Sequence, residues 1–321
     1  MSQPLASSRP RQRIGCDGRL LSRRPRVTGS DDSPQPIQFS PAFRQLLQQS
    51  LARQSRSTAE RIGIPGLVLE ETIDPAGHDD DDGTGAFVWG AGARLARLLH
   101  RDPALRAQLR GRRVLELGCG TAVVSIAAVA AAGARLAVAT DLPSRLAAAR
   151  RNIAANGAAA GGRLLQQEGA AVRAAALDWG EGAEGVARLV DEFGGPFDWV
   201  LGADLTYEPG AMAPLARTMA AALRRRRGGG GGAAAAGSAS VRPQALLMHR
   251  PRSREVDAAM AIAFEAEGLA LVEATQHQEE EDEGPLTGRR SAAAAAAAAG
   301  EAEEEDEPLI LYRVVGDDEI A

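Results

Sequence analysis

Residues 114–120 read Val-Leu-Glu-Leu-Gly-Cys-Gly. Four residues suited to a buried strand run into a turn tightened by Gly118 and Gly120, with an acid, Glu116, just ahead of it. Outward from there, Val123–Ala132 is an apolar helical stretch, and Leu136–Thr140 is a second strand that ends in Asp141. Strand, glycine-rich turn, helix, strand and acid form the front half of a nucleotide-binding α/β unit.

The acid separates two ligands for such a turn. A dinucleotide needs a third glycine three places after Gly120, where backbone approaches the pyrophosphate, but position 123 is Val. A carboxylate at Glu116 would also repel phosphate. S-adenosylmethionine carries an ammonium and a sulfonium and no phosphate, so Glu116 suits it, and Asp141 can accept hydrogen bonds from its ribose. The turn is read as binding a methyl donor rather than a nicotinamide.

At 321 residues the chain can hold one large α/β domain or two small ones. Much of its apolar content is alanine in runs such as Ala292–Ala299, which add little area to a core. All 37 basic residues are arginine, so the chain cannot methylate a lysine of its own. A net charge of −5 gives no basic footprint for nucleic acid. Cys16 and Cys119 are far apart, and Cys119 inside a ligand-binding turn is poorly placed for a disulfide, which points to a reducing compartment. No apolar run has the length of a membrane span. The expectation is a cytoplasmic or nuclear monomer with no membrane or specific nucleic-acid partner. The Arg-rich, acid-poor start also resembles an organelle transit peptide, with a plain disordered tail as the alternative.

Residues 1–60 are read as a disordered or targeting segment, with a short helix near Phe43–Arg53. Residues 61–86 are read as an accessory strand, Ile64–Ile73, and an acidic loop, Gly77–Gly85. A methyltransferase domain then fills 87–315, ahead of a tail at 316–321. Its strands are placed at Val114–Leu117, Leu136–Thr140, Val172–Leu177, Trp199–Ala203, Ala245–His249, Leu269–Ala274 and Leu309–Val315. Helical stretches separate them at Gly92–His100, Val123–Ala132, Leu142–Asn156, Gly182–Glu192, Met212–Arg226 and Ser253–Gly268. This alternation predicts a Rossmann-like, doubly wound, seven-stranded α/β sheet. The last two strands lack an intervening helix and should form an antiparallel pair at the sheet edge. Low-complexity tracts at 228–240 and 276–307 fall between elements, where insertions cost little.

Further candidate site residues sit at strand ends, where open α/β sheets bind ligands. In Leu177-Asp178-Trp179-Gly180, an acid beside a flat aromatic suits adenine; the alternative is a core tryptophan with a helix-capping acid. The strand Trp199–Ala203 delivers Asp204, Tyr207 and Glu208, polar groups suited to an acceptor. No His or Cys cluster suggests a metal.

Taken in order, Phe87-Val88-Trp89, the Glu-Leu-Gly-Cys-Gly turn, Thr140-Asp141, Leu177-Asp178-Trp179-Gly180, the Asp-x-x-Tyr of Asp204–Tyr207, Ala245–Arg254 and Leu311-Tyr312-Arg313 resemble the class I, seven-β-strand methyltransferases. Within them the chain resembles the family-16 protein-lysine methyltransferases. The resemblance implies S-adenosylmethionine contacts at Trp89, Gly118, Cys119, Gly120, Asp141, Trp179 and Ala203, with Asp204 and Tyr207 facing a lysine of a protein substrate. Two positions depart from the pattern. Ala122 replaces the usual third glycine, expected to tighten the methionine end, and Gly90 stands where Pro, Asp or Glu is usual. The alternatives are a methyltransferase for small molecules or other side chains, and a non-catalytic cofactor-binding scaffold.

Methyl transfer from a sulfonium needs alignment and a neutral nucleophile, not a metal. A lysine with a reference pKa of about 10.4 must first lose a proton. Asp204 favours the ammonium, so its expected role is to capture and orient it, with Tyr207 holding the cation by its ring face.

Overall fold

Residue 115 faces one way out of the pleat and residue 114 the other, and both are fully buried, so the sheet must be covered on both faces. The computed structural model describes residues 55–71, 86–157, 165, 169–224, 242–274 and 309–316. The strands are β1 Arg113–Leu117, β2 Leu136–Asp141, β3 Ala171–Ala176, β4 Trp199–Ala203, β5 Gln244–His249, β6 Leu269–Glu273 and β7 Ile310–Gly316. They form one sheet in the order β3-β2-β1-β4-β5-β7-β6. β1 to β5 pair in parallel, and β7 runs antiparallel to both β5 and β6. The antiparallel pair therefore closes one side of a Rossmann-like sheet, as the missing helix requires.

Seven helices have both ends among the described residues: α1 Gly90–Arg101, α2 Pro103–Leu109, α3 Val123–Ala130, α4 Leu146–Asn156, α5 Gly182–Glu192, α6 Met212–Leu223 and α7 Arg254–Ala266. Leu95 and Leu99 of α1 and Ile126 of α3 pack with Val114 and Leu201 in one core. Leu189 of α5, Met219 of α6 and Phe264 of α7 pack with Leu115 and Val200 in the other. Helix α2 is absent from the sequence reading. Its start is Asp102-Pro103: the Asp102 carboxylate accepts from the Ala104 and Leu105 amides, and the proline sits in the first turn. The same dipeptide that stops a helix also starts one.

Two expectations for the N-terminal part are corrected. Residues 55–62 are helical rather than disordered, and Ile62, Ile64, Leu67 and Leu69 are buried in the first core, so the folded body begins well before Phe87. Where it is described, to Glu71, the segment from Ile64 forms no strand. Its partner is instead the side chains of α4. The Val68 amide donates to Asn156 Oδ1 (2.9 Å) and the Glu70 amide to Asn152 Oδ1 (2.7 Å). The two Asn amides donate back to the Val68 and Glu70 carbonyls at 2.7 and 3.2 Å. Four residues of helix rise about 6 Å and two of extended chain about 6.6 Å, so two asparagines one turn apart match alternate backbone groups. The region near Phe43–Arg53, the Gly77–Gly85 loop and both low-complexity tracts lie outside the described residues. Among those described, no helix is long and apolar enough to cross a membrane.

Candidate active site

Leu117 is level with Thr140 of β2 on one side and Gly202 of β4 on the other, so the three strands end together. The chain leaves β1 between neighbours whose connections go to opposite faces, and this opens a crevice. Gly118 turns the backbone there at φ +59°. A β-carbon on it would lie 2.5 Å from Leu205 Cδ2 and 3.3 Å from the Trp179 ring. Only glycine lets these three approach.

The crevice deepens into a cavity of about 370 Å³, within the range of small-molecule sites. Every expected site residue lines it except Glu116 and Cys119. Asp141, at the end of β2, is fixed by two backbone donors, the Gly120 amide at 2.9 Å and the Leu142 amide at 2.8 Å. Asp178 lines the wall and also caps the short turn Trp179–Glu181, accepting from the Gly180 amide at 2.7 Å. The capping role and the ligand-facing position are thus compatible. Trp89, at the N-cap of α1, and Tyr207 are the two large side chains left well exposed at the cavity.

Glu116 lies elsewhere. Its carboxylate accepts from the backbone amide and the hydroxyl of Ser125 in α3, and it is 3% exposed. Burial raises its pKa to about 8, opposed by the Ser125 bonds. Cys119 packs with Ala122, Ala139, Leu146 and Ala149 in a small cluster, where burial first, and the nearby carboxylates second, push the thiol pKa up. Ala122 belongs to that cluster and is not part of the cavity wall, so the expected tightening of the methionine end is not found. Its φ of +61° shows why a glycine suits the position. The second departure, Gly90, lies beneath Arg250, whose Nη2 would be 3.2 Å from a β-carbon there.

The part of the wall that follows β4 is built on a strained turn. Asp204 follows β4 at φ +55° and is held by its amide to the Met248 carbonyl (2.9 Å). Its Oδ1 accepts from Arg252 Nη2 at 2.9 Å, and its side chain is 6% exposed against 36% for Arg252. Two residues on, Thr206 Oγ1 lies 2.6 Å from Nδ1 of the buried His249. The other ring nitrogen meets Asp257 Oδ1 at 3.2 Å, and that oxygen also accepts the Arg252 amide at 3.3 Å. Burial lowers the His249 pKa, with Asp257 opposing. A neutral ring donating from Nε2 leaves Nδ1 to accept the Thr206 hydroxyl. Arg252, His249 and Asp257 were missed from sequence, because Arg252 stands among several similar arginines, His249 reads only as the end of a strand, and Asp257 reads only as one acid in a helix. Leu205 and Arg145 are also new to the cavity wall.

The wall carries four carboxylates, Asp141, Asp178, Asp204 and Glu208, against one guanidinium, Arg145. That balance repels polyphosphates and suits a cation. Residues 72–227 match a family described as lysine methyltransferase. Over 137 residues the chain is 32% identical to protein N-lysine methyltransferase METTL21A of Danio rerio, covering 43% of this chain and 55% of that protein. Over 127 residues it is 35% identical to EEF1A lysine methyltransferase 3 of Mus musculus, covering 39% of this chain and 45% of that one. The chain thus spans about half the length of the curated relatives it matches.

Proposed function

From the match of residues 72–227 to a family described as lysine methyltransferase, we propose that this protein is an S-adenosylmethionine-dependent methyltransferase that modifies a lysine of another protein. The observation that carries the reading is that one cavity is lined both by the Gly118 turn, the fixed Asp141 carboxylate and the Asp178–Trp179 pair and by Asp204 and Tyr207.

The cavity's residues fit the donor. Asp141 brings a carboxylate that ribose hydroxyls can donate to, Trp179 a flat aromatic next to Asp178, and the acid-rich wall suits a sulfonium and an ammonium. Trp89, Gly118, Gly120 and Ala203 supply surface that keeps the ligand in place. When bound, S-adenosylmethionine supplies an electrophilic methyl group. Asp204 draws the acceptor ammonium in, and Tyr207, 40% exposed, flanks it with its ring. A lysine held there would present its nitrogen, neutral once its proton has gone to solvent, toward that methyl group.

Incubating a protein extract with methyl-labelled donor and the full chain tests this by mass spectrometry. Label on protein lysine is expected. Label confined to small molecules would replace the substrate class, and no label at all with intact donor binding would favour a scaffold.

A further inference from the structure

Asp204 poses a problem for the reaction just proposed. A bare, nearly buried carboxylate beside the acceptor holds the lysine as an ammonium, and an ammonium has no lone pair for attack. The structure places a second charge on that carboxylate. Arg252 Nη2 donates to Asp204 Oδ1 at 2.9 Å, while Oδ2 makes no hydrogen bond among the described residues. Arg252 is itself anchored: its amide donates to Asp257 Oδ1, and Ser253, next in the chain, caps α7 through the Val256 amide at 3.3 Å. One carboxylate oxygen is therefore taken by a permanent cation and the other is left for a ligand.

We infer that Arg252 is a positioning residue of the acceptor site, which offsets the field of Asp204 so that the carboxylate can orient a lysine and still let it shed its proton near neutral pH. This rests on the lysine reading above. Arginine is suited to the task because it stays charged throughout the range in which lysine titrates. Its partial exposure lets it neutralise Asp204 without burying a second charge.

Other charged and titratable groups face this pair from each neighbouring element. Asp257 comes from α7, His249 from β5, Tyr207 and Glu208 from the turn after β4, and Arg145 from the turn before α4, with Nη1 3.4 Å from the Tyr207 hydroxyl. Substituting Arg252 leaves all of them in place. His249 titrates below its ordinary value, on the acid side of the range in which the amine loses its proton.

The test uses the full chain, a soluble protein extract as acceptor and tritium-labelled S-adenosylmethionine, with the labelling rate of the modified protein read from about pH 6.5 to about pH 10. For Arg252→Gln the midpoint of the rate rise is expected to move up by about one unit. The rate near pH 7 then falls about tenfold and recovers at high pH, at one decade per unit. Arg252→Lys, which keeps the charge below its own titration, should stay near the wild-type midpoint. Calorimetry with S-adenosylhomocysteine should give the same affinity for all three. A rate lowered by one factor at every pH would overturn the inference, as would Arg252→Lys behaving like Arg252→Gln. Loss of S-adenosylhomocysteine binding in both variants would make the pair structural and overturn it too. If the wild-type chain labels no protein lysine, the functional reading itself falls, and this one with it.

Discussion

At the scale of single residues, the site depends on two backbone positions that glycine or strain makes available. Gly118 has φ +59° and no room for a side chain. Gly118→Ala should destabilise the fold by about 1–2 kcal/mol from left-handed strain alone, and Gly118→Arg should abolish S-adenosylhomocysteine binding in calorimetry. Asp204 has φ +55°, which asparagine tolerates, so Asp204→Asn removes charge while keeping the turn. Its donor affinity should stay near wild type while methylation falls by roughly two orders of magnitude, the scale of a misplaced nucleophile. Trp179→Ala should weaken donor binding first. Full activity in Asp204→Asn would remove Asp204 from the acceptor site. Glu116 gives a prediction of a different kind. Its pKa is about 8 in the folded protein against an ordinary value of 4.5, so the folded protein holds a proton that the unfolded chain releases between those values. Stability from this group is complete below the lower value and lost as pH rises through the upper one. Glu116→Gln should therefore lose less stability than wild type between pH 5 and pH 8, measured by urea denaturation at the two ends.

At the scale of elements, what could be read from the sequence depended on where each element's partners lie. The parallel strands were legible because strands covered on both faces are near-continuous apolar runs, as in Val114–Leu117 and Trp199–Ala203. The 64–71 segment was misread because alternating apolar residues look the same whether the backbone pairs with a strand or with side chains. Nothing in Asn152 or Asn156 alone marks them as its partners. Removing both amides takes away four half-buried hydrogen bonds to the backbone of Val68 and Glu70, each worth about 0.5–1.5 kcal/mol. The double variant Asn152→Ala, Asn156→Ala should lower the urea midpoint and open residues 63–71 to proteolysis, and an unchanged cleavage pattern would show that the buried Ile64, Leu67 and Leu69 suffice. The consequence reaches the site. Glu71, held by Ser55 at 3.0 Å, accepts the Val88 amide at 2.7 Å, next to Trp89. A chain starting at residue 86 should accordingly bind S-adenosylhomocysteine more weakly, although sequence alone put the folded body's start at Phe87.

At the scale of the whole molecule, the strand ends that carry the motifs were legible because each motif is local in sequence and the sheet brings them to one edge. The Arg252–Asp204 and His249–Asp257 pairs were not: the first joins elements 48 residues apart in sequence, and in the second nothing local marks the strand-end His249 and the helical Asp257 as partners. The same topology bears on residues 276–307, which lie outside the described structure yet between two strands that are already hydrogen-bonded neighbours. Glu273 is paired with Tyr312, and the Ala274 amide donates to the Leu311 carbonyl at 2.8 Å. The strand ends are therefore close enough for a short hairpin loop with glycine. Replacing 276–307 by such a loop shortens the connection by about three doublings, and at roughly 0.6 kcal/mol each, closure entropy alone favours the shortened chain by about 2 kcal/mol. The expected outcome is a raised melting temperature with unchanged S-adenosylhomocysteine affinity. Acceptor labelling need not follow, since the acidic runs Glu279–Glu283 and Glu301–Glu307 can attract a basic protein surface. A fall in labelling with donor affinity preserved would assign the tract to substrate choice. A lower melting temperature would instead show that it contributes to the fold, against the reading of an insertion.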